Sequence, residues 1–142
     1  MRILCLDIGD RRIGVAVSDE GKSFARGIGN IERDGSETVR IRGLVEKYGV
    51  ESIVYGLPLR MDGSMSGQTE KSMAFVSLLK ESISLPFIPF DERLSSRQAD
   101  SILIEADLSR KKRKKVIDRL AAQIILQNYL DSLREHGEED YY

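Results

Sequence analysis

The sequence predicts an α/β fold, with a five-stranded mixed sheet (three antiparallel strands, then two parallel ones) flanked by helices. Three observations carry this reading. A nearly continuous apolar run, residues 2–8, has the pattern of a strand buried on both faces. Two further short strands follow across tight turns before any helical period appears, and strand then alternates with helix. The 142 residues are the size of one domain, and 41% apolar with 32% charged types supplies a core inside a well-solvated surface.

The elements follow in order. After 2–8 comes the turn Gly9-Asp10-Arg11-Arg12, and 13–18 (IGVAVS) reads as the second strand. Glu20-Gly21-Lys22 turns again into a weaker third strand, 25–31, interrupted by Gly27 and Gly29. Ser36 is the expected N-cap of a helix that carries Val39, Leu44 and Val45 and ends near Gly49. The fourth strand is 52–57 (SIVYGL), followed by a Gly/Ser-rich loop, 58–67. Met73, Val76, Leu79 or Lys80, and Ile83 mark the next helix, 86–90 the fifth strand, and 95–106 another helix. A long last helix starts near Ser109 with Ile117, Leu120, Ala121, Ile124 and Ile125 on one face. One domain therefore spans 1–133, and 134–142 is an acidic, frayed tail. The order β-β-β-α-β-α-β-α-α fits a ribonuclease H-like fold or one half of an actin-like ATPase. A doubly wound dinucleotide fold fits poorly, because a strand rather than a helix follows Asp7-Ile8-Gly9.

Composition narrows the function classes. No apolar run approaches the roughly 20 residues that cross a bilayer, and MRILCLDIGD runs into acids with no small-residue cleavage site. The single Cys5 forms no internal disulfide, which points to a reducing cytoplasm, and the single His136 makes no His-rich zinc site. The net charge of −1 hides a sharp segregation. Residues 110–119 hold seven bases against one acid, a net +6, and the other 132 residues carry −7. A polyanion is drawn to that one place, although such a run also suits a plain solvated helix face.

Three acids sit where acids are costly. Asp7 ends the most apolar strand and shares a face with Ile3 and Cys5; Asp91 and Glu92 follow the fifth strand; Asp118 lies one step off the apolar stripe of the last helix. Each has an ordinary structural explanation. Asp7 could bond the 9–12 turn or pair with Arg11 or Arg12, Asp91 could cap the next segment, Glu92 could pair with Arg93 or Arg97, and Asp118 with Lys114. Together they suit phosphodiester hydrolysis, because clustered carboxylates repel until a hard cation such as Mg²⁺ or Mn²⁺ joins them, and Mg²⁺ needs few protein oxygens. Lys111, Lys114 and Lys115 fall on the same helix side as Asp118, which places phosphate ligands beside that cluster. The loop from Gly56 through Gly67, leading into Gln68 and Thr69, offers backbone N–H groups to a phosphate, but it is not a Walker loop.

Four segments, DIGDRRIGVAVSD (7–19), GLPLRMDGS (56–64), DERLSS (91–96) and SRKKRKKVIDRLAAQIILQNYLDS (109–132), resemble in this order the YqgF/RuvX family. That family comprises bacterial ribonuclease H-like pre-16S rRNA nucleases, also described as Holliday junction resolvase-like. The resemblance runs from Met1 to about Ser132. It implies a metal-dependent nuclease of 16S rRNA 5′-end maturation in the cytoplasm, with Asp7, Glu92 and Asp118 as catalytic Mg²⁺ or Mn²⁺ ligands and Asp91 as the alternative to Glu92. Arg11, Arg12, Lys111, Lys114 and Lys115 would then hold phosphates, and Ser64 and Gln68 would guide the substrate strand. The implied partner is nucleic acid, either pre-rRNA (free or in a pre-ribosomal particle) or branched DNA, with no membrane and a monomer or weak homodimer. Two departures stand out. Family members often carry Thr where this chain has Asp10, and the second acid follows the fifth strand, whereas resolvases of related fold place it after the fourth. A non-catalytic rRNA-binding assembly factor and an actin-like phosphotransferase are the readings from other classes.

Overall fold

The computed structural model describes residues 1–91 and 120–133. Within them lie β1 (Arg2–Ile8), β2 (Arg12–Ser18), β3 (Ala25–Glu32), α1 (Glu37–Tyr48), β4 (Val50–Leu57), α2 (Gly67–Lys80), β5 (Phe87–Asp91) and α3 (120–133). The strands form one sheet in the order β3-β2-β1-β4-β5. β2 is antiparallel to both β1 and β3, while β1, β4 and β5 run parallel, so the expected mixed sheet is the observed one. The expected helix over 95–106, the start of the last helix near Ser109 and the tail 134–142 lie outside the described residues.

Small shifts of boundary have local causes. Gly49 takes a left-handed conformation (φ 61°) that ends α1 and turns the chain directly into Val50, so β4 starts two residues before the expected Ser52. Pro86 accepts a hydrogen bond from the Ile53 N–H but has none of its own to donate, so β5 begins at Phe87 and takes in Asp91. Ser36 occupies the N-cap position of α1 without capping it, because its Oγ is hydrogen-bonded to Asp34. Ser66 does cap α2, in a reciprocal box with Thr69.

Parity along the strands divides the core in two. Leu4, Leu6 and Ile8 pack with Ile13, Val15, Ile53 and the helices α1 and α2 on one face. Ile3, Cys5, Ala16 and Val54 pack against Ala122, Ile125, Leu126 and Leu130 of α3 on the other. Each such aliphatic side chain contributes about 1.5–3 kcal/mol relative to exposure. One expected position on each of the first two helices is exposed. Val39 is 72% exposed and α1 seats Ile41 in its place, with the expected Leu44 and Val45 packed beside it; Met73 is exposed, while Val76, Leu79 and Ile83 are buried as expected and Phe75 joins them. In α3, Ala121 and Ile125 are buried as expected, but Leu120 and Ile124 are only half-buried and Ala122, Leu126 and Leu130 complete the stripe. No helix among the described residues is long and apolar enough to cross a membrane.

Candidate functional site

The parallel strands β1, β4 and β5 bring their C-terminal ends to one edge of the sheet, the edge at which open α/β sheets take ligands. Asp7 stands there, half-buried near the end of the central strand, on the α3 face with Ile3 and Cys5. Its cross-strand partner on β2 is Gly14. On the other side Leu6 is level with Tyr55, so the next residues along the two strands are Asp7 and Gly56. The carboxylate is thus flanked by two buried glycines, and neither neighbouring strand covers it with a side chain. Phe90 of β5 pairs opposite Gly56 and packs edge-on against Tyr129 of α3 (centroids 6.4 Å apart).

The turn after Asp7 is held from below. Gly9 donates to the Arg12 carbonyl at 3.0 Å, and a Cβ on Gly9 would lie 2.7 Å from that oxygen, so glycine is required here by close approach. Arg33 fixes the same turn. Its Nη1 donates to the Gly9 carbonyl at 2.7 Å, its backbone N–H to the Arg11 carbonyl, and its guanidinium lies 4.5 Å over the Phe75 ring with Glu37 3.7 Å away. The sequence reading missed Arg33. The i,i+4 pairing with Glu37 was the one signal available, and it points to a helix start rather than to a turn 24 residues earlier.

Other expected site residues fall in distinct places. Arg11 is exposed at the tip of the turn, and Arg12 is half-buried with Nε 3.8 Å from the Glu32 carboxylate. Asp10 points its exposed carboxylate towards Lys71 Nζ, 4.0 Å away on α2. With Ile8, Gln68, Phe75 and Leu78 they line a cleft of about 400 Å³, on the opposite face of the sheet from Asp7. Ser64 lies in the exposed loop leaving β4, where its N–H and Oγ both bond to the Asp62 carboxylate. At the start of α2 the Thr69 N–H is taken by Ser66 Oγ, and Thr69 Oγ1 donates to the Pro58 carbonyl, so the capping box itself uses part of the anion-binding capacity expected of this junction.

Asp91 ends β5 opposite Leu57 and is exposed. Ile88 and Phe90 pack on the α3 face and Phe87 on the other, so strand alternation assigns Asp91 to the α1/α2 side, away from Asp7. Glu92, Asp118, Lys111, Lys114 and Lys115 lie outside the described residues. Among the described residues no three metal-binding side chains come together. A half-buried carboxylate between two glycines nevertheless fits one ligand of a largely hydrated Mg²⁺, which takes only one or two protein carboxylates and needs room for its waters.

Comparison with known proteins gives a consistent picture. The family model described as "RuvX: Holliday junction resolvase" matches residues 1–132. A curated protein of Thermoanaerobacter pseudethanolicus described as "Putative pre-16S rRNA nuclease" is 50% identical over 135 residues, covering 93% of this chain and 97% of its own. One of Geobacillus kaustophilus with the same description is 48% identical over 138 residues, covering 94% and 100%. Among solved structures, the fold is similar to that of a fowlpox virus resolvase in complex with Holliday junction DNA (TM-score 0.58, 14% identity, 94% of this chain and 99% of that one). It is also similar to that of Thermus thermophilus RuvC (TM-score 0.54, 13% identity, 95% and 97%).

Proposed function

The chain belongs to the RuvX family, and from that membership we propose that it is a metal-dependent endonuclease acting in the cytoplasm on the 5′ end of precursor 16S rRNA. It is a hydrolase of nucleic-acid phosphodiester bonds. The observation that carries the metal-site reading is the placement of Asp7 between Gly14 and Gly56 at the C-terminal edge of the sheet. We assign Asp7, Glu92 and Asp118 as ligands of Mg²⁺ or Mn²⁺. Two observations support Glu92 and Asp118. Asp91 stands on the wrong face to share an ion with Asp7, which favours the adjacent Glu92. The helix α3 runs antiparallel to β1, with Gln123 at the level of Cys5 and Gln127 at that of Ile3, so its upstream direction is towards Asp7.

A divalent ion, when bound, lowers the pKa of a coordinated water and offsets charge on the scissile phosphate. The chain supplies the anionic ligands, the gap beside Asp7 that admits a phosphate, and cations to hold the flanking strand. For the last role we name Arg11 and Arg12 on the turn with Lys111, Lys114 and Lys115, while Ser64 and Gln68 guide the strand from the loop after β4. The test is Asp7→Asn, which keeps shape and removes the charge. Cleavage of precursor 16S rRNA by the purified protein should fall by more than about a hundredfold, beyond what loss of a ligand's supporting partner costs. The melting temperature should stay within a few degrees; full activity in the variant would sink the assignment.

The family's description favours a second reading, cleavage of branched DNA. Parallel assays on a four-way junction and on precursor rRNA separate the two, and symmetric junction resolution would also need a dimer. A protein that binds rRNA without cutting it would show no Mg²⁺-dependent product in either assay.

A further inference from the structure

We propose that Gln123 and Gln127 are positioning residues for the nuclease reaction, fixing the register of α3, whose first described residue follows Asp118 by two positions in the sequence. The inference rests on the assignment of Asp118 as a metal ligand. β3 is an edge strand, and the outward N–H and C=O groups of an edge strand need partners. Here two side-chain amides of α3 provide them. Gln127 Oε1 accepts from the Ala25 N–H at 2.9 Å while its Nε2 donates to the Ser23 carbonyl at 3.0 Å. Gln123 Oε1 accepts from the Gly27 N–H at 3.0 Å. The Gln127 amide brackets Phe24 as the peptide group of a parallel neighbouring strand would. The two glutamines repeat because four helical residues rise about 6.0 Å and two strand residues about 6.6 Å, so one i,i+4 pair matches alternate N–H groups.

Apolar packing cannot do this alone. Burial of Ala122, Ile125, Leu126 and Leu130 is non-directional, whereas the three hydrogen bonds of Gln123 and Gln127 are directional and are all broken by a slide of α3 of about 3 Å, half the spacing at which the two glutamines repeat. The upstream direction of α3 is towards the Asp7 end of the sheet, and in the sequence Asp118 precedes Gln123 by five residues. A misplacement of about 1 Å at reacting groups can cost on the order of a hundredfold, so a register lock on α3 bears on the proposed metal site.

The experiment compares Gln123→Leu/Gln127→Leu with Asp118→Asn and with the triple combination. The readouts are Mn²⁺ affinity by electron paramagnetic resonance and amide hydrogen exchange at Ala25, Gly27, Leu4 and Leu6. The double variant should weaken Mn²⁺ binding about tenfold or more, within the range seen when a ligand's supporting partner is removed. Ala25 and Gly27 should exchange faster while Leu4 and Leu6 keep their protection. Adding the glutamine changes to Asp118→Asn should weaken Mn²⁺ no further, since they act through Asp118. Faster exchange with unchanged Mn²⁺ affinity overturns the proposal and leaves the glutamines as edge protection. If Asp118→Asn weakens Mn²⁺ binding and the double variant does not, the ligand assignment stands and the positioning role falls. If Asp118→Asn has no effect on Mn²⁺, both fall. Should the double variant not fold, Gln123→Leu alone removes one bond and decides the matter, an affinity within twofold of the parent counting against the proposal.

Discussion

Asp7 is expensive where it stands. A carboxylate near the end of a strand whose other members are almost all buried apolar side chains loses hydration, and only oxygen-seeking cations or hydrogen-bond donors repay it. Its two flanking positions, Gly14 on β2 and Gly56 on β4, are equally out of character, since glycine weakens a strand interior. The proposed metal site gives the three residues one common reason, since glycine on both sides leaves Asp7 without a covering side chain from either neighbouring strand. Gly14→Val tests this at the residue scale. The β-branched side chain suits a strand, yet it would occupy the space over Asp7. Cleavage should fall at least about tenfold, while unfolding by urea should show no more than the roughly 1–3 kcal/mol that overpacking a tight site costs. A fully active Gly14→Val protein would mean that the gap is not used.

At the scale of elements, the β2–β3 hairpin shows how local chemistry sets the frame for the site. Asp19 accepts the N–H groups of Ser23 (2.8 Å) and Phe24 (2.9 Å), and these bonds hold its pKa below the ordinary 3.8. Lys22, in a left-handed conformation (φ 56°), reaches across to pair with Glu51 of β4. A carboxyl whose folded pKa is lowered contributes stability that is fully present above its unfolded value and is lost as pH falls through the folded one. Acidification below about 3.8 should therefore loosen this hairpin, and Asp19→Asn should flatten that part of the acid limb when urea midpoints are followed from pH 5 to pH 2. An unchanged limb would show that the bonds do not persist in solution. Much at this scale was legible in sequence. β1 was found residue for residue because an apolar run bounded by a Gly-Asp turn admits one period, and the antiparallel pairing of the first three strands followed from the tight turns between them. What was hidden depended on parity or on distant contacts. Ending the fifth strand at Phe90 left Asp91 and Glu92 both outside it, and only the observed strand, which takes in Asp91, gives that residue a face by alternation. Arg33 and the glutamines of α3 look like ordinary surface polar residues until the chain folds, because their partners lie 24 to about 100 residues away.

For the molecule as a whole, the decisive property is how charge is divided. Seven bases and one acid lie in 110–119, and the remainder carries −7, so nucleic acid approaching from most directions meets repulsion and only one segment attracts it. That segment also contains Asp118, one of the proposed metal ligands, so the same stretch would collect the phosphate chain and bring it to the ion. Such attraction works through release of counterions, and each phosphate neutralised on a single strand steepens the fall of log K with log salt by about 0.7. Replacing Lys111, Lys114 and Lys115 together with glutamine should reduce that slope by about 2 when binding to precursor rRNA is measured between 50 and 300 mM salt. Asp7→Asn, which removes one negative charge without removing a phosphate contact, should bind at least as tightly as the parent and leave the slope as it was. The two variants thus separate holding from cutting: the lysine variant binds weakly with its metal ligands intact, and the Asp7 variant binds well without cleavage. An unaltered slope in the lysine variant would move the RNA-binding surface elsewhere, with Arg11 and Arg12 on the turn after β1 as the next residues to replace.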